Sequence, residues 1–399
     1  MIRKELLELL FEAASIQRWN DHIRPDHFTE LDKQAHKMIY AYVLAKTQET
    51  DYGSSIDWRT LIEGGLFEFL HRIVLTDIKP PVFHKLMARK GAQLNRWVLE
   101  KLSGMLAPLE GAFLNRFEEY LMNPEQAVLE KKILKAAHYL ATNWEFKIIY
   151  RLNEGLYGLE DTKADIENQL EEHYDLVGVQ KLNLGKKTGN FLDLVGQLRF
   201  QQRWAQSPRV PKTSVIGHML IVAVLAYLCS VELGACDKRV YNNFFAGLFH
   251  DLPEVLTRDI VSPVKRSVAG IEQLIKEIEH RQLEERIFPL LPAAWHSEIS
   301  YFTEDEFQSK IIGADGQIEP ISSAEISANY NRDRCSPLDG ELIKACDQLA
   351  AYMETFLSIS HGIKANPLVE ANRHLYAAYK DAVVAGIDFG RIFSYFKIP

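Results

Sequence analysis

The feature that most restricts how this 399-residue chain can fold is its likeness to itself. Residues 65–82 align without a gap on residues 247–264, and eight of the eighteen positions are identical: Gly65/Gly247, Leu66/Leu248, Phe67/Phe249, Leu70/Leu252, Asp77/Asp259, Ile78/Ile260, Pro81/Pro263 and Val82/Val264. Upstream, Gln17-Arg18-Trp19 matches Gln202-Arg203-Trp204, and Arg24 matches Arg209. Downstream, the run Lys135 to Ala141 matches Lys344 to Ala350. A period this long reads as two copies of one domain, and the length suits two domains of the usual size. The expected division is 1–179 and 190–399, joined by the polar stretch Gln180 to Asn190.

Apolar residues recur at helical spacing along the chain. Leu6, Leu7, Leu10, Ala14 and Ile16 form one stripe. Ile133, Leu134, Ala137, Leu140 and Ala141 form another, and Ile271, Leu274, Ile275 and Ile278 a third. Convincing alternating strand patterns are absent, so the expected class is all-α. The acidic run Glu160 to Tyr174 reads as a solvated helix. The most apolar segment, Met219 to Leu233, is short for a membrane span of roughly 20 residues and reads as a buried helix. The N-terminus enters a charged amphipathic pattern rather than a signal peptide, which points to the cytoplasm. Cys229, Cys236, Cys335 and Cys346 form no CxxC pair and read as reduced thiols. A net charge of -8 carries no footprint for nucleic acid.

The chemistry concentrates in Gly247-Leu248-Phe249-His250-Asp251-Leu252-Pro253-Glu254. Adjacent His and Asp side chains can share one metal ion only with ligands from elsewhere. His218 at the start of the apolar helix and Asp347 amid Leu342, Ile343, Leu349 and Ala350 are the candidates. Two imidazoles and two carboxylates suit one octahedral divalent ion such as Mn, Co, Fe, Ni or Mg, with positions left for water. They lack the thiolates of structural zinc. Glu254 falls one turn from His250 if the helix continues, where it orients or deprotonates a water.

The ordered set His218, His250-Asp251 and Asp347 resembles the signature of HD-domain metal-dependent phosphohydrolases. Together with Arg203-Trp204, Glu254-Val255-Leu256-Thr257, Asp259 and Ser262-Pro263-Val264-Lys265, it resembles more narrowly their bacterial 5'-deoxynucleotidase branch. The resemblance covers about residues 190 to 360. It implies a metal held by His218, His250, Asp251 and Asp347, with Glu254 assisting the water. It further implies Arg203 on the substrate phosphate, Trp204 on the sugar, and Asp259, Ser262 and Lys265 as further substrate contacts. The substrate implied is a small-molecule nucleotide, a 2'-deoxynucleoside 5'-monophosphate. The chain departs from that branch at Gly217, where a glutamate often stands, and in its longer interval from Asp251 to Asp347, including Ile311 to Asn331. Hydrolysis of a nucleoside triphosphate or an alarmone, or nucleotide binding for regulation, are the alternatives.

In the first copy His250 becomes Glu68, Asp251 becomes Phe69, Glu254 becomes Arg72 and Asp347 becomes His138. His36 pairs with His218 after a three-residue insertion. Phe69 cannot ligate a metal and Arg72 cannot act as a carboxylate base, so this copy is expected to lack the catalytic metal. His36, Glu68 and His138 remain as a three-ligand alternative. Arg18, Trp19 and Asp77 persist, leaving nucleotide binding, packing or a homodimer contact as its uses.

Overall fold

The computed structural model describes residues 2–76, 78–258, 260, 268 and 270–398. The fold is all-α, with three short two-stranded antiparallel ribbons among the described residues. The chain divides into two compact units, 1–184 and 185–399.

In the first unit, α1 (Lys4–Glu12) leads into a ribbon of β1 (Gln17–Arg18) and β2 (Phe28–Thr29), which registers Gln17 on Thr29 and Arg18 on Phe28. Thr29 then caps α2 (Glu30–Tyr52) by accepting the Asp32 N–H at 3.2 Å, with Glu30 and Asp32 favourably placed in the first turn. Gly53, at φ 75°, ends the helix in the left-handed region where a side chain would be strained. Helix α2 is buried over most of its length and packs on α3 (Trp58–Leu75) and α6 (Val128–Leu152). Around them run α4 (Pro80–Leu106), α5 (Phe113–Met122), α7 (Leu159–Glu171) and α8 (Val177–Asn183).

In the second unit, α9 (Lys187–Gly196) precedes α10 (Val215–Glu232), α11 (Asp237–Phe249) and the short α12 (Glu254–Thr257). The long helix Gly340–Ser360 completes the centre. Helix α10 is the one described helix long and apolar enough to cross a membrane, but 94% of it is buried, against α11 and the helix Gly340–Ser360. It starts at Val215, four residues before the apolar segment read from sequence, because Ser214 accepts the Gly217 N–H at 3.0 Å and fixes the cap there.

The stretch Gln180 to Asn190 is not an open linker. Most of it belongs to α8 and α9, and α8 packs on α2 with Val179 buried, so its polar residues mark the outer face of a helix. Within the segment Ile311 to Asn331, β3 (Lys310–Ile312) pairs with β4 (Ile318–Pro320). Two- and three-residue strands are too short to give an alternating signal.

The two units share irregular features as well as helices. Gln17 bridges the cap residue Thr29, and Gln202 bridges the cap residue Ser214. Trp19 and Trp204 both take positive φ, 54° and 57°. Bulky side chains rarely adopt that conformation, and it costs of order 1–3 kcal/mol.

Candidate metal centre

Three helices bring the candidate ligands together. The Ser214 cap puts His218 in the first turn of α10. Helix α11 ends at Phe249, so His250 is its cap residue. Gly247 lets α11 approach α10: a Cβ there would lie 2.9 Å from the Ala223 Cα and 3.0 Å from its N. Asp339, at the N-cap of the helix Gly340–Ser360, is gripped from α11 by Arg239 Nε at 2.6 Å and Asn243 Nδ2 at 3.1 Å. Its own N–H donates to Asn243 Oδ1 at 2.9 Å. These bonds set the height of Asp347, two turns along, against the end of α11.

One potential ligand atom from each of His218, His250 and Asp347 lies within 4.8 Å of the other two. His218 Nε2 is 2.9 Å from Asp347 Oδ1. The Nδ1–H of His250 donates to the Gly247 carbonyl at 2.8 Å, which turns Nε2 towards the centre, where loss of its proton would free it to ligate. That buried Nε2 has no hydrogen-bond partner in the protein, although Asp251 Oδ2 stands 3.2 Å away. Asp251 lies outside the three-residue group, beside His250, and 3.6 Å from Arg203 Nη1. Gln348 Nε2 steadies Asp347 through Oδ2 at 2.7 Å. An orphaned imidazole nitrogen among carboxylates fits a divalent cation, and two imidazoles with two carboxylates form the mixed N/O set such ions prefer.

The charges agree. Burial works against ionisation of Asp347, yet His218, Arg203 and His250 hold it down to about 2. Burial would lower His250, but Asp251 and Asp347 raise it to about 9. Burial would also raise Asp251, and His250 first, then Arg203, keep it well below the usual carboxylate range. The carboxylates are thus held anionic, as the ligands of a cation must be.

Glu254 does not continue the α11 helix. A turn intervenes, with Leu252 N–H on Phe249 O at 2.9 Å and Glu254 N–H on Asp251 O at 3.0 Å, and Glu254 opens α12 as a buried carboxylate. Asp259, Ser262 and Lys265, and Asp77 in the first half, lie outside the described residues.

A residue absent from the sequence reading organises the wall of the site. Glu354, seven residues beyond Asp347 and fully buried, accepts Trp204 Nε1 at 2.8 Å and Thr213 Oγ1 at 2.5 Å. Arg203 Nε lies 3.5 Å from it, Arg209 Nη2 3.9 Å and His218 Nδ1 3.7 Å. Burial opposes its charge, but Arg209, Arg203 and His218 bring it down to about 2. Trp204 thus turns its indole N–H inward to Glu354. The signal was available: Glu145 stands seven residues beyond His138, as Glu354 does beyond Asp347. Glu306, partly buried, is raised by its burial, with Lys276 and His250 opposing the shift and Asp251 adding to it.

The first unit repeats this frame with other side chains. Trp19 Nε1 donates to Glu145 at 2.9 Å, and Arg18 pairs with Glu145 at 2.8 Å and Glu30 at 2.9 Å. The sequence pairing of His36 with His218 is corrected here. Four residues after the cap Thr29 stands Lys33, as His218 stands four after the cap Ser214. Lys33 bonds His138 Nδ1, and Lys37 bonds Glu68. His36 instead packs against Tyr40 and Trp144, at ring separations of 4.7 and 5.2 Å. His36, Glu68 and His138 form no ligand group among the described residues. Phe69 is core, and Arg72 Nε lies 3.7 Å from Glu30.

Residues 195–375 match the HD domain family. This part of the chain is similar to a 5'-deoxynucleotidase of Vibrio atlanticus (strain LGP32), 26% identical over 179 residues that make up 44% of this chain and 78% of that protein. It is similar also to a 5'-deoxynucleotidase of Pasteurella multocida (strain Pm70), 26% identical over 136 residues, 31% of this chain and 65% of that one. A third, from Enterobacter sp. (strain 638), is 24% identical over 180 residues, 43% of this chain and 74% of that one.

Proposed function

We propose that this HD-domain phosphohydrolase removes the phosphate from a 2'-deoxynucleoside 5'-monophosphate, using one divalent metal ion in its second unit. The observation that carries the reading is the convergence of His218, His250 and Asp347 within 4.8 Å, with Arg203 reaching over Asp251 beside them. The names of the similar proteins supply the substrate class.

His218, His250, Asp251 and Asp347 would hold the ion, which when bound lowers the pKa of a coordinated water and polarises the phosphoryl oxygen.

The protein's own groups do the rest. Arg203 presents a planar fork of donors suited to phosphate oxygens, and Glu354 restrains that fork from behind. Glu254, buried and hydrogen-bonded through its backbone to Asp251, is the candidate base for the attacking water. Trp204, held by Glu354, offers an apolar wall to the sugar, and a 2'-deoxyribose brings no extra hydroxyl that needs a partner there. Asp259, Ser262 and Lys265 remain the proposed further contacts.

Product analysis separates this reading from its rivals. Metal-supplemented protein is incubated with nucleoside mono- and triphosphates and with an alarmone, and the products are resolved by chromatography. Orthophosphate and a deoxynucleoside from the monophosphate support the reading. Pyrophosphate or triphosphate as the released group contradicts it in favour of another phosphoester substrate.

A further inference from the structure

We propose that the first unit binds a phosphate dianion, free or carried by a phosphomonoester, at the cluster of Arg18, Lys33, Lys37 and Arg72, with no metal ion involved. This inference concerns a site separate from the proposed catalytic centre and holds or fails independently of it.

Four side-chain cations converge here from β1, α2 and α3. Among the described residues, the carboxylates paired with them are Glu30, Glu68 and Glu145. Arg18 uses Glu30 and Glu145, Arg72 uses Glu30, and Lys37 uses Glu68, which also accepts the Tyr120 hydroxyl at 2.8 Å. Lys33 is left with an imidazole: it is fully buried, and its ammonium is bonded to His138 Nδ1 rather than to a carboxylate. A proton on Lys33 would leave one positive charge uncompensated by these carboxylates, in a place where such an ion is costly, so the amine favours its neutral form until an anion arrives.

The protein's electrostatics register that excess. Burial, only partly offset by Glu30, pushes Lys33 well below the ordinary lysine range. Burial and then Lys33 keep His138 well below its own, so it serves as a neutral acceptor. An arriving anion would restore the charge on Lys33, and binding near neutral pH would take up a proton. Solvent reaches the cluster along Glu68, Arg72 and Arg18, whose side chains are 33%, 15% and 12% exposed. The fork of an arginine with ammonium groups beside it matches the three oxygens of a phosphate better than the two of a carboxylate.

Lys33 and Lys37 also explain why no metal is needed. They bond the two residues, His138 and Glu68, that answer by sequence to Asp347 and His250, so lysine nitrogens stand where a cation would be held.

The test is calorimetric titration of the full chain in EDTA with inorganic phosphate and, separately, with dAMP, in two buffers of different ionisation enthalpy. Saturable binding with proton uptake is expected, weakened about tenfold or more in Lys33→Met and in Arg72→Gln, and retained in Arg203→Gln. Stronger binding of dAMP identifies a phosphomonoester site, and equal binding a free-phosphate site. Lys33→Met keeps the buried volume without the charge; should it fail to fold, the partly exposed Arg72→Gln decides. Absence of binding at millimolar ligand overturns the proposal. So does binding abolished by Arg203→Gln but kept by both first-unit variants, because the cluster would then be only an internal ion network.

Discussion

Trp204 donates its indole N–H to Glu354 across 150 residues of chain, at 2.8 Å. That bond ties the strained Trp204 backbone to the helix that carries Asp347. In the first unit Trp19 makes the same bond to Glu145 at 2.9 Å, also from a residue with positive φ. The pairing of tryptophan, glutamate and the adjacent arginine thus occurs in both units, while the groups at the centre differ. Duplication followed by loss of the ligands in one copy is the proposal that accounts for this.

Glu354 acts through others, so Glu354→Gln should separate positioning from metal binding. The amide still accepts from Trp204 but no longer faces Arg203, Arg209 and His218 with a charge. A fall in kcat/KM of about 10- to 100-fold is expected, with metal content unchanged. Parallel metal analysis and kinetics check this; loss of the metal along with activity would assign Glu354 a larger role.

Metal binding should depend on pH in a defined direction. Burial disfavours the charged His250, but Asp251 and Asp347 raise it to about 9, so near pH 7 the metal-free imidazole is protonated. A ligating Nε2 must lose that proton. Apparent affinity should rise by roughly tenfold per unit of pH and level off near 9. Titrations of metal-free protein between about pH 6 and 9 test it, and a flat profile contradicts it. Without the ion the same shift contributes stability that is complete below the ordinary imidazole value of about 6.5 and is lost as pH rises through about 9.

Gly247→Ala should weaken both fold and site. The added Cβ meets backbone of α10 at 2.9 Å rather than a movable side-chain end. Overpacking of this kind costs about 1–3 kcal/mol, and it pushes His250 away from His218. Urea denaturation and metal affinity should fall together.

Acid should expose the value of Glu30. Burial opposes its ionisation, but Arg18, Lys33 and Arg72 lower it to about 2 from the ordinary glutamate value of about 4.5. Its folded value lies below the unfolded one, so its contribution is complete above about 4.5 and disappears as pH falls through about 2. Wild type should be more stable than Glu30→Gln by roughly 2–4 kcal/mol at neutral pH, with the gap closing towards pH 2. An equal gap at every pH would assign the effect to packing instead.

The candidate site residues differed in how far the sequence revealed them. His218, His250 and Asp347 were legible because each sits at a helix position fixed by apolar spacing or a cap. Glu254 was placed only approximately: the local signal that α11 stops at Phe249 is Pro253, whose nitrogen has no hydrogen to donate to the Phe249 carbonyl. Glu354 escaped notice because a glutamate amid Tyr352, Met353, Thr355 and Phe356 gives no hint of its partners, which arrive from 141 to 150 residues away. Lys33 was hidden by His36: an identity in residue type outweighed distance from the cap, and three-dimensional position follows the cap. The boundary between the two units, after Leu184, lies inside the polar run from Gln180 to Asn190, but composition did not reveal the helices there, because it reports solvent exposure and α8 exposes one face while burying the other.

The most direct test is phosphate release from 2'-deoxynucleoside 5'-monophosphates by metal-supplemented wild type and by Asp347→Ala, with folding of both monitored by circular dichroism. The account predicts metal-dependent release by wild type, preferring the deoxynucleotide to its ribonucleotide, and a drop to background in a folded Asp347→Ala. Equal rates in the two proteins, whatever the metal, would contradict it.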